Sequence, residues 1–332
     1  MVTALTFERD RVERQSPGGV PLAVRRFLAR HPQHSTRIQI TRMNTGKSYD
    51  DLAGLYHLIF QDWDASIERQ AVSVSRILQK FGVEATRQCI LDCACGIGTQ
   101  SLGLAKLGFE ITGCDISSAA IERARREASQ RGLDIRFLVA DMRDLTALGG
   151  ALFDAVICMD NSLPHLTTEE ELLQAARQIR STLRPGGVFI ASLRDYDLLL
   201  VQRPTVQGPF FYGNEQSRRI VFQVWDWIDE LLYRFHLYIT RRIAGEWETF
   251  HTTALYRGFR RNELEAVFKQ AGFVNTAWIF PAESGFYQPI FTAQVGVSGL
   301  TVTRDEGGKY QPGRWVTGEK GMLRQSRESL MA

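Results

Sequence analysis

Residues 91–100, with the sequence LDCACGIGTQ, constrain the fold of this chain more than any other segment. An apolar run ends at Asp92, two glycines follow at Gly96 and Gly98, and the next apolar run ends at Asp115. This order is typical of a strand, a glycine-rich turn, a helix and a second strand in a doubly wound nucleotide-binding fold. The glycines allow the backbone to approach a ligand closely, and an acid at the tip of the second strand can accept hydrogen bonds from both ribose hydroxyls.

The spacing around this turn distinguishes between two classes of ligand. A dinucleotide enzyme would use the same turn, but Ser101 occupies the position of the third glycine in its fingerprint, and no residue nearby suggests a nicotinamide partner. S-adenosylmethionine (SAM) has no pyrophosphate, so a third glycine is unnecessary. Asp92 can then hold the loop or bind the ammonium group of the ligand. These details favour SAM as the cofactor.

Alternating strand and helix patterns surround this turn and predict a parallel sheet with helices on both faces, whose ligands bind at the carboxyl ends of the strands. From Arg219 to Arg257, two-residue alternation predicts antiparallel strands that cover the ligand crevice. The expected fold is therefore a doubly wound, Rossmann-like α/β sheet with an added antiparallel sheet. Core strands are predicted at 89–93, 110–114, 135–139, 153–158 and 188–193, helices at 49–60, 67–82, 99–107, 117–131 and 169–183, and a final helix and two strands between 262 and 295.

Composition divides the chain into five segments. The first is rich in Arg, lacks core periodicity and is expected to be poorly ordered, and Met43 within it is a candidate for the true start. The last is polar and Gly-rich and is expected to be a loose tail. The segments are a leader (1–48), a SAM-binding core with its leading helices (49–195), an inserted sheet (196–258), the end of the core (259–297) and a tail (298–332).

Charge and cysteine content exclude several classes of partner. Eight arginines and three acids give residues 1–42 a charge of +5, which leaves −2 for the rest of the chain and disfavours a nucleic-acid substrate. No apolar run is long enough to span a bilayer. Five cysteines at buried strand positions indicate reduced thiols and a cytoplasmic protein. A metal bound by Cys89, Cys93 and Cys95 is disfavoured because their spacing matches no zinc motif.

Two polar segments follow the fourth and fifth predicted strands and point into the crevice of the glycine loop. The sequence FDAVIC at 153–158 leads into Asn-Ser at 161–162 and His-Leu at 165–166, and LRPGG at 183–187 leads into RDYD at 194–197. With the glycine loop, these elements resemble glycine N-methyltransferase and its glycine/sarcosine methyltransferase relatives, which are class I methyltransferases. The resemblance covers roughly residues 49–295.

The resemblance implies a role for each matching position around the cofactor. It implies that SAM is bound by residues of the glycine loop, of the second strand and of the segments that follow. Ala94, Gly96 and Gly98, with Asp92 before them, would pack against the methionine part of SAM. Asp115 and Ile116 would bind the ribose, and Asp141 and Met142 would flank the adenine. Met159 and His165 would line the cofactor, and Tyr49 and Arg69 would close over it.

For the methyl acceptor, the resemblance implies a small amine or amino acid such as glycine or sarcosine. Arg194 would form a bidentate pair with its carboxylate, Asn161 would orient it, and Tyr256 from the added sheet would complete the pocket. One position departs from the family, which has a small residue where this chain has Asp160. A carboxylate there can attract an additional amine or a bulkier cation, so the identity of the acceptor stays open.

Chemistry and motif content leave other functions to be weighed. Methyl transfer requires mainly that a deprotonated amine be aligned with the sulfonium methyl, and no residue is required as a general base. A different small-molecule acceptor uses the same fold. A nucleic-acid base methyltransferase is disfavoured because the fourth strand does not end in an Asn/Asp-Pro-Pro-aromatic element. A non-catalytic SAM-binding regulator would leave Asn161 and Arg194 without a role.

Overall fold

The computed structural model describes residues 45–85 and 88–297. The predictions for Met43, for most of the leader and for the tail lie outside these residues. Within the described ranges, no helix is both long enough and apolar enough to cross a membrane.

The described strands form two separate sheets. In chain order they are β1 (Cys89–Asp92), β2 (Glu110–Asp115), β3 (Arg136–Val139), β4 (Phe153–Cys158), β5 (Leu183–Ser192), β6 (Val206–Tyr212), β7 (Arg219–Trp227), β8 (Leu232–Ile243), β9 (Glu246–Arg257), β10 (Phe273–Ile279) and β11 (Ile290–Val295). The central sheet has the order β10-β11-β5-β4-β1-β2-β3, and the second has the order β6-β7-β8-β9. Strands β1 to β5 pair in parallel, whereas β11 is antiparallel to both β5 and β10. The predicted fold class is confirmed.

Helices lie before and between the strands, and four of those described begin at a side chain that accepts a hydrogen bond from the first turn. They are α1 (Thr45–Leu52), α2 (Trp63–Lys80), α3 (Thr99–Lys106), α4 (Ser118–Gln130), α5 (Glu169–Thr182), α6 (Tyr196–Gln202), α7 (Arg261–Gln270) and α8 (Pro281–Ser284). The side chain of Ser117 accepts a hydrogen bond from the backbone of Ala120 at the start of α4. Thr168 does the same for Glu171 at the start of α5, and the Glu171 carboxylate accepts in return from the backbone N of Thr167.

Strand β4 shows why the central sheet must be covered on both faces. Ala155 and Ile157 face one apolar cluster, Val156 and Cys158 face the other, and all four side chains are inaccessible to solvent. Burying an Ile or Val side chain stabilises the fold by about 1.5–3 kcal/mol. A continuous apolar strand of this kind fits only between two layers of helices.

The second sheet has one buried face, as the two-residue alternation predicts. On β8, the side chains of Tyr233, Phe235, Leu237 and Ile239 are all buried. Tyr233 lies opposite Tyr256 in the register between β8 and β9. This buried face therefore presents aromatic side chains to the core of the molecule.

The structure corrects the predicted boundaries in three places. The predicted helix over 49–60 is two elements, because α1 ends before Gly54, a poor helix former, and a 3-10 turn follows at Tyr56–Ile59. Helix α1 also begins at Thr45, inside the predicted leader. Strand β5 begins at Leu183 rather than at 188. Three elements without a clear apolar pattern, α6, β6 and α8, are not predicted from the sequence.

Candidate active site

The glycine turn after β1 has a backbone that favours glycine at two positions. Gly96 has a φ of +52°, and a side chain built there would meet no atom within 4 Å. Gly98 has a φ of +95° and precedes α3, where a Cβ would contact Leu102 at 3.3 Å. Gly96 therefore opens towards a ligand, whereas Gly98 packs against its own helix. The prediction that Gly98 contacts the cofactor is not supported by its position.

Asp115 lies at the tip of β2 with its carboxylate fixed by the backbone. One oxygen accepts a hydrogen bond from Gly96 N (2.8 Å) and the other from Ser117 N (2.9 Å). Burial raises the pKa of Asp115, and these two backbone hydrogen bonds oppose that rise. Each oxygen retains a second lone pair, so the carboxylate can still accept from two hydroxyl groups.

Asp92 supports the glycine turn from behind. Its side chain is buried and accepts a hydrogen bond from Ser101 Oγ (2.7 Å). Burial raises the pKa of Asp92 to about 7, although the Ser101 bond opposes the rise. Of the two roles considered from sequence, loop support is the one the contacts show, because Asp92 is not among the residues that line the adjoining cavity.

A cavity of about 820 Å³ lies over the carboxyl ends of β1, β2 and β4. This is the crevice in which an open α/β sheet binds its ligand. Several residues not singled out from sequence also line it, among them Tyr56, Gln100 and Arg143. The predicted residues that line it are Tyr49, Ala94, Gly96, Asp115, Ile116, Asp141, Met142 and His165.

Two predicted cofactor residues lie elsewhere. Met159 continues the alternation of Ala155 and Ile157 and is buried in the apolar cluster on that face of the sheet. Arg69 is exposed on the outer face of α2, where the helical period turns its neighbour Gln70 inward instead. Neither Met159 nor Arg69 lines the cavity.

Arg143 fixes the acid expected at the adenine end of the cavity. Its guanidinium binds both carboxylate oxygens of Asp141, and its backbone N donates to the same carboxylate at 2.8 Å. Burial acts to raise the pKa of Asp141, but the hydrogen bonds from Arg143 outweigh it and hold that pKa below its usual value. Arg143 also binds Glu171 at the start of α5 (2.6 Å).

A second, smaller cavity of about 60 Å³ adjoins the first. Three residues, Tyr49, Tyr56 and Asp160, line both cavities and therefore form the boundary between them. The remaining wall of the small cavity comes from the buried face of the added sheet, from the 3-10 turn after α1 and from the ends of β4 and β5. Its polar members include Asn161, Arg194, Gln223, Tyr256 and Tyr287.

Arg194 lies in the wall of the small cavity and is surrounded by aromatic rings. Its guanidinium carbon is 4.6 Å from the ring centroid of Trp225, Nη1 donates to Tyr233 Oη (3.0 Å), and Nη2 donates to Gln223 Oε1 (3.0 Å). Nε is buried and has no hydrogen-bond partner. Burial alone would lower the pKa of Arg194, but the tyrosine oxygens, first that of Tyr233, raise it above its usual value.

Asn161 joins the ends of β4 and β5 beside this arginine. Its Oδ1 accepts from Arg194 N (3.0 Å), its Nδ2 donates to Tyr196 Oη (3.0 Å), and its own backbone N donates to Ser192 O (3.0 Å). The two strand tips therefore meet, as the sequence predicts. Asn161 fixes Arg194, and one hydrogen on Nδ2 remains for a ligand.

His165, Tyr49 and Tyr256 form a partly buried cluster beside the two cavities. Tyr49 Oη lies 2.8 Å from His165 Nε2 and 3.4 Å from Tyr256 Oη. Burial, helped by the positive charge of Arg194, lowers the pKa of His165 to about 3, so its ring is neutral at physiological pH. The structure thus brings together three residues predicted from distant segments of the chain.

Comparison of the fold with solved structures agrees with this architecture. A SAM-dependent methyltransferase from Clostridium acetobutylicum superposes with a TM-score of 0.61 at 17% identity, covering 75% of this chain and 99% of that one. DesVI from Streptomyces venezuelae has the same TM-score at 23% identity, covering 74% and 98%. Both likenesses concern the fold alone.

Residues 90–187 match the family model of the methyltransferase domain. This match and the fold agree that these residues have the architecture of a class I methyltransferase domain. The site fits SAM, because the cavity is large, Gly96 leaves its wall open and Asp115 retains acceptor positions for a ribose.

Among characterised proteins, the chain is similar to glycine N-methyltransferases. Glycine/sarcosine N-methyltransferase of Parasynechococcus marenigrum is 34% identical over 175 residues, covering 52% of this chain and 60% of that protein. Glycine N-methyltransferase of Mus musculus is 34% identical over 147 residues, covering 41% and 50%. The alignments thus span 50–60% of the length of these two relatives.

Proposed function

We propose that the protein transfers a methyl group from SAM to the nitrogen of a small amine that carries a carboxylate, an amino acid such as glycine or sarcosine. The observation that supports this most is the state of Arg194, a partly buried cation that lines the small cavity and whose buried Nε has no hydrogen-bond partner. A guanidinium recognises a carboxylate through two parallel hydrogen bonds.

The size of the small cavity supports a small acceptor. Because a water-sized group needs roughly 10–15 Å³ of such volume, 60 Å³ holds about four to six groups of that size. Glycine and sarcosine are of this size. A nucleobase with its sugar is larger, and this observation therefore disfavours the base-methyltransferase alternative.

Bound SAM supplies a methyl group that is already electrophilic. The residues of the chain then have to bind the acceptor, direct its nitrogen towards the large cavity and exclude water. Arg194 holds the carboxylate at the far end of the small cavity, and Asn161 fixes the backbone of Arg194. Tyr49, Tyr56 and Asp160 line both cavities, so the nitrogen would meet the methyl group at the boundary that these residues form.

The acceptor class can be tested with methyl-labelled SAM and matched acceptors. We expect label to pass to glycine or sarcosine, to pass poorly to methylamine and dimethylamine, which lack the carboxylate, and not to pass to DNA or RNA. Methylation of the plain amines at the same rate would contradict the proposal. SAM binding without transfer to any acceptor would instead favour the regulatory alternative.

A further inference from the structure

Asp160 is an acid at the boundary between the two cavities. Its side chain accepts hydrogen bonds from Gln100 Nε2 (3.0 Å) and from the hydroxyl of Tyr287, and its backbone N donates to Ser192 Oγ (2.7 Å). Two separate parts of the chain therefore fix the carboxylate, and a third fixes the backbone of Asp160, where the large cavity meets the small one.

The backbone at Asp160 favours a residue without a side chain. Asp160 has a φ of +55° and Asn161 a φ of +66°, so two consecutive residues are left-handed. Asp and Asn tolerate this region better than other residues with a side chain, but glycine adopts it freely. Strained positions of this kind occur where the surrounding structure holds them and cluster at functional sites. The hydrogen bonds to Asp160 supply such a support.

Asp160 is also the acid available to an acceptor at this boundary. Asp92 lines neither cavity, and Asp115 lines only the large one. His165 is neutral because burial lowers its pKa to about 3, and burial raises the pKa values of Tyr49, Tyr56 and Tyr256. Among the described residues that line the small cavity, the charged groups are thus Arg194 and Asp160.

We propose that Asp160 binds the ammonium group of the incoming amino acid and takes a proton from it, while Arg194 holds the carboxylate. This inference rests on the function proposed above. The amino acid, a zwitterion, would then meet two opposite charges in one cavity, and its nitrogen would lie at the boundary with the cofactor cavity.

The proton transfer balances with the methyl transfer that follows it. The N–H bond breaks, the proton passes to a carboxylate oxygen of Asp160, and the electron pair stays on nitrogen. That pair forms the new N–C bond while the C–S bond of SAM breaks and its electrons return to sulfur. The methylated product leaves as an ammonium ion, and Asp160 then releases its proton to water.

The pH dependence of Asp160→Asn tests this role. Asn has the same shape and tolerates a left-handed backbone, so SAM affinity should stay within about twofold of the parent. At pH 7, kcat/KM for the amino acid should fall by roughly 100-fold. The loss should shrink about tenfold for each unit of rising pH, because more of the amine then arrives deprotonated.

Tyr287→Phe serves as the matched control, because it removes a hydrogen bond to Asp160 and keeps the charge. We expect a smaller loss and the pH profile of the parent. If Asp160→Asn does not bind SAM, Asp160→Gly relaxes the turn and should show the same pH dependence. If the Asp160 variant that binds SAM has the rate and the pH profile of the parent, the role of Asp160 is wrong but the proposed function stands. If the parent itself methylates no carboxylated amine, both the proposed function and the role of Asp160 are wrong.

Discussion

The large and small cavities of this protein are built in different ways. The large cavity is lined mainly by runs of consecutive residues, such as 93–96 in the turn after β1 and 140–144 after β3. The small cavity is lined by residues of at least six separate segments, and one partly buried cation, Arg194, lies among aromatic rings. The first construction depends on a local sequence motif and the second on tertiary packing.

This difference separates cofactor binding, which related folds can share, from acceptor choice, which is particular to one protein. A cofactor region built from a turn and an acid can be shared by proteins with many acceptors. An acceptor region built from dispersed side chains changes whenever one of them changes. Substitutions in the two regions should therefore affect SAM binding and acceptor turnover separately.

The largest effect is expected from Asp92→Asn in the turn of the cofactor region. Burial raises the pKa of Asp92 to about 7, so the folded protein keeps a proton that the unfolded chain releases above about pH 4. The free energy of unfolding should therefore decrease as pH rises from about 4 to 7, by on the order of 4 kcal/mol. Asn does not titrate. The free energy of unfolding of Asp92→Asn, measured with urea, should therefore exceed that of the parent by the largest amount above pH 7.

The exposed acid Asp134 provides the control for this measurement, because Asp134→Asn should leave the pH dependence of the parent unchanged. Parallel stability profiles for the parent and for Asp92→Asn, between pH 5 and pH 8, would show that Asp92 is ionised in the folded protein.

A smaller effect is expected from Asp115→Ala, and on SAM alone. The loss of charge-assisted hydrogen bonds to the ribose should weaken SAM binding by about 2–3 kcal/mol, or roughly 30- to 160-fold. Calorimetry measures this directly, with Asp134→Ala as the control. An unchanged affinity would remove Asp115 from the cofactor site and would break the division between the two regions.

The smallest effect is expected from Tyr256→Phe in the acceptor region. The substitution removes the hydroxyl next to Tyr49 and retains the ring, so kcat/KM for the acceptor should fall by about 1 kcal/mol, or roughly fivefold. SAM affinity should not change. Tyr238→Phe alters the opposite face of the same sheet, where the ring stacks on Phe222, and should have no effect on either quantity. Equal losses in both variants would indicate a general weakening of the sheet.

The two regions also differ in how far the sequence predicts them. The glycine turn, the place of Asp115 at the tip of the second strand and the parallel pairing of the core strands follow from local patterns, and the structure agrees with them. The sequence places Arg194 and Asn161 at strand tips that meet, because parallel strands end at one edge of a sheet. Whether a residue faces that edge is harder to predict.

Two predicted residues that do not line the cavity, and two lining residues that the sequence does not single out, show the reason. Met159 and Arg69 lie near the site in sequence, but strand alternation and the helical period turn their side chains away from the cavity. Tyr56 and Tyr287 also line the small cavity. Tyr56 falls within the predicted helix over 49–60, whose pattern indicates only packing, and Tyr287 lies in the short connection between α8 and β11. Their roles depend on packing between segments that are far apart in the chain.

The most direct test of the account compares two acceptors in two proteins. We would measure kcat/KM for glycine and for methylamine with the parent and with Arg194→Lys, which keeps the positive charge and loses the planar fork. The parent should prefer glycine by about 100-fold or more, and the variant should lose about tenfold or more of that preference, while SAM affinity stays nearly constant. An equal preference in both proteins, or a parent that does not distinguish the two amines, would contradict the claim that Arg194 reads the carboxylate of the acceptor.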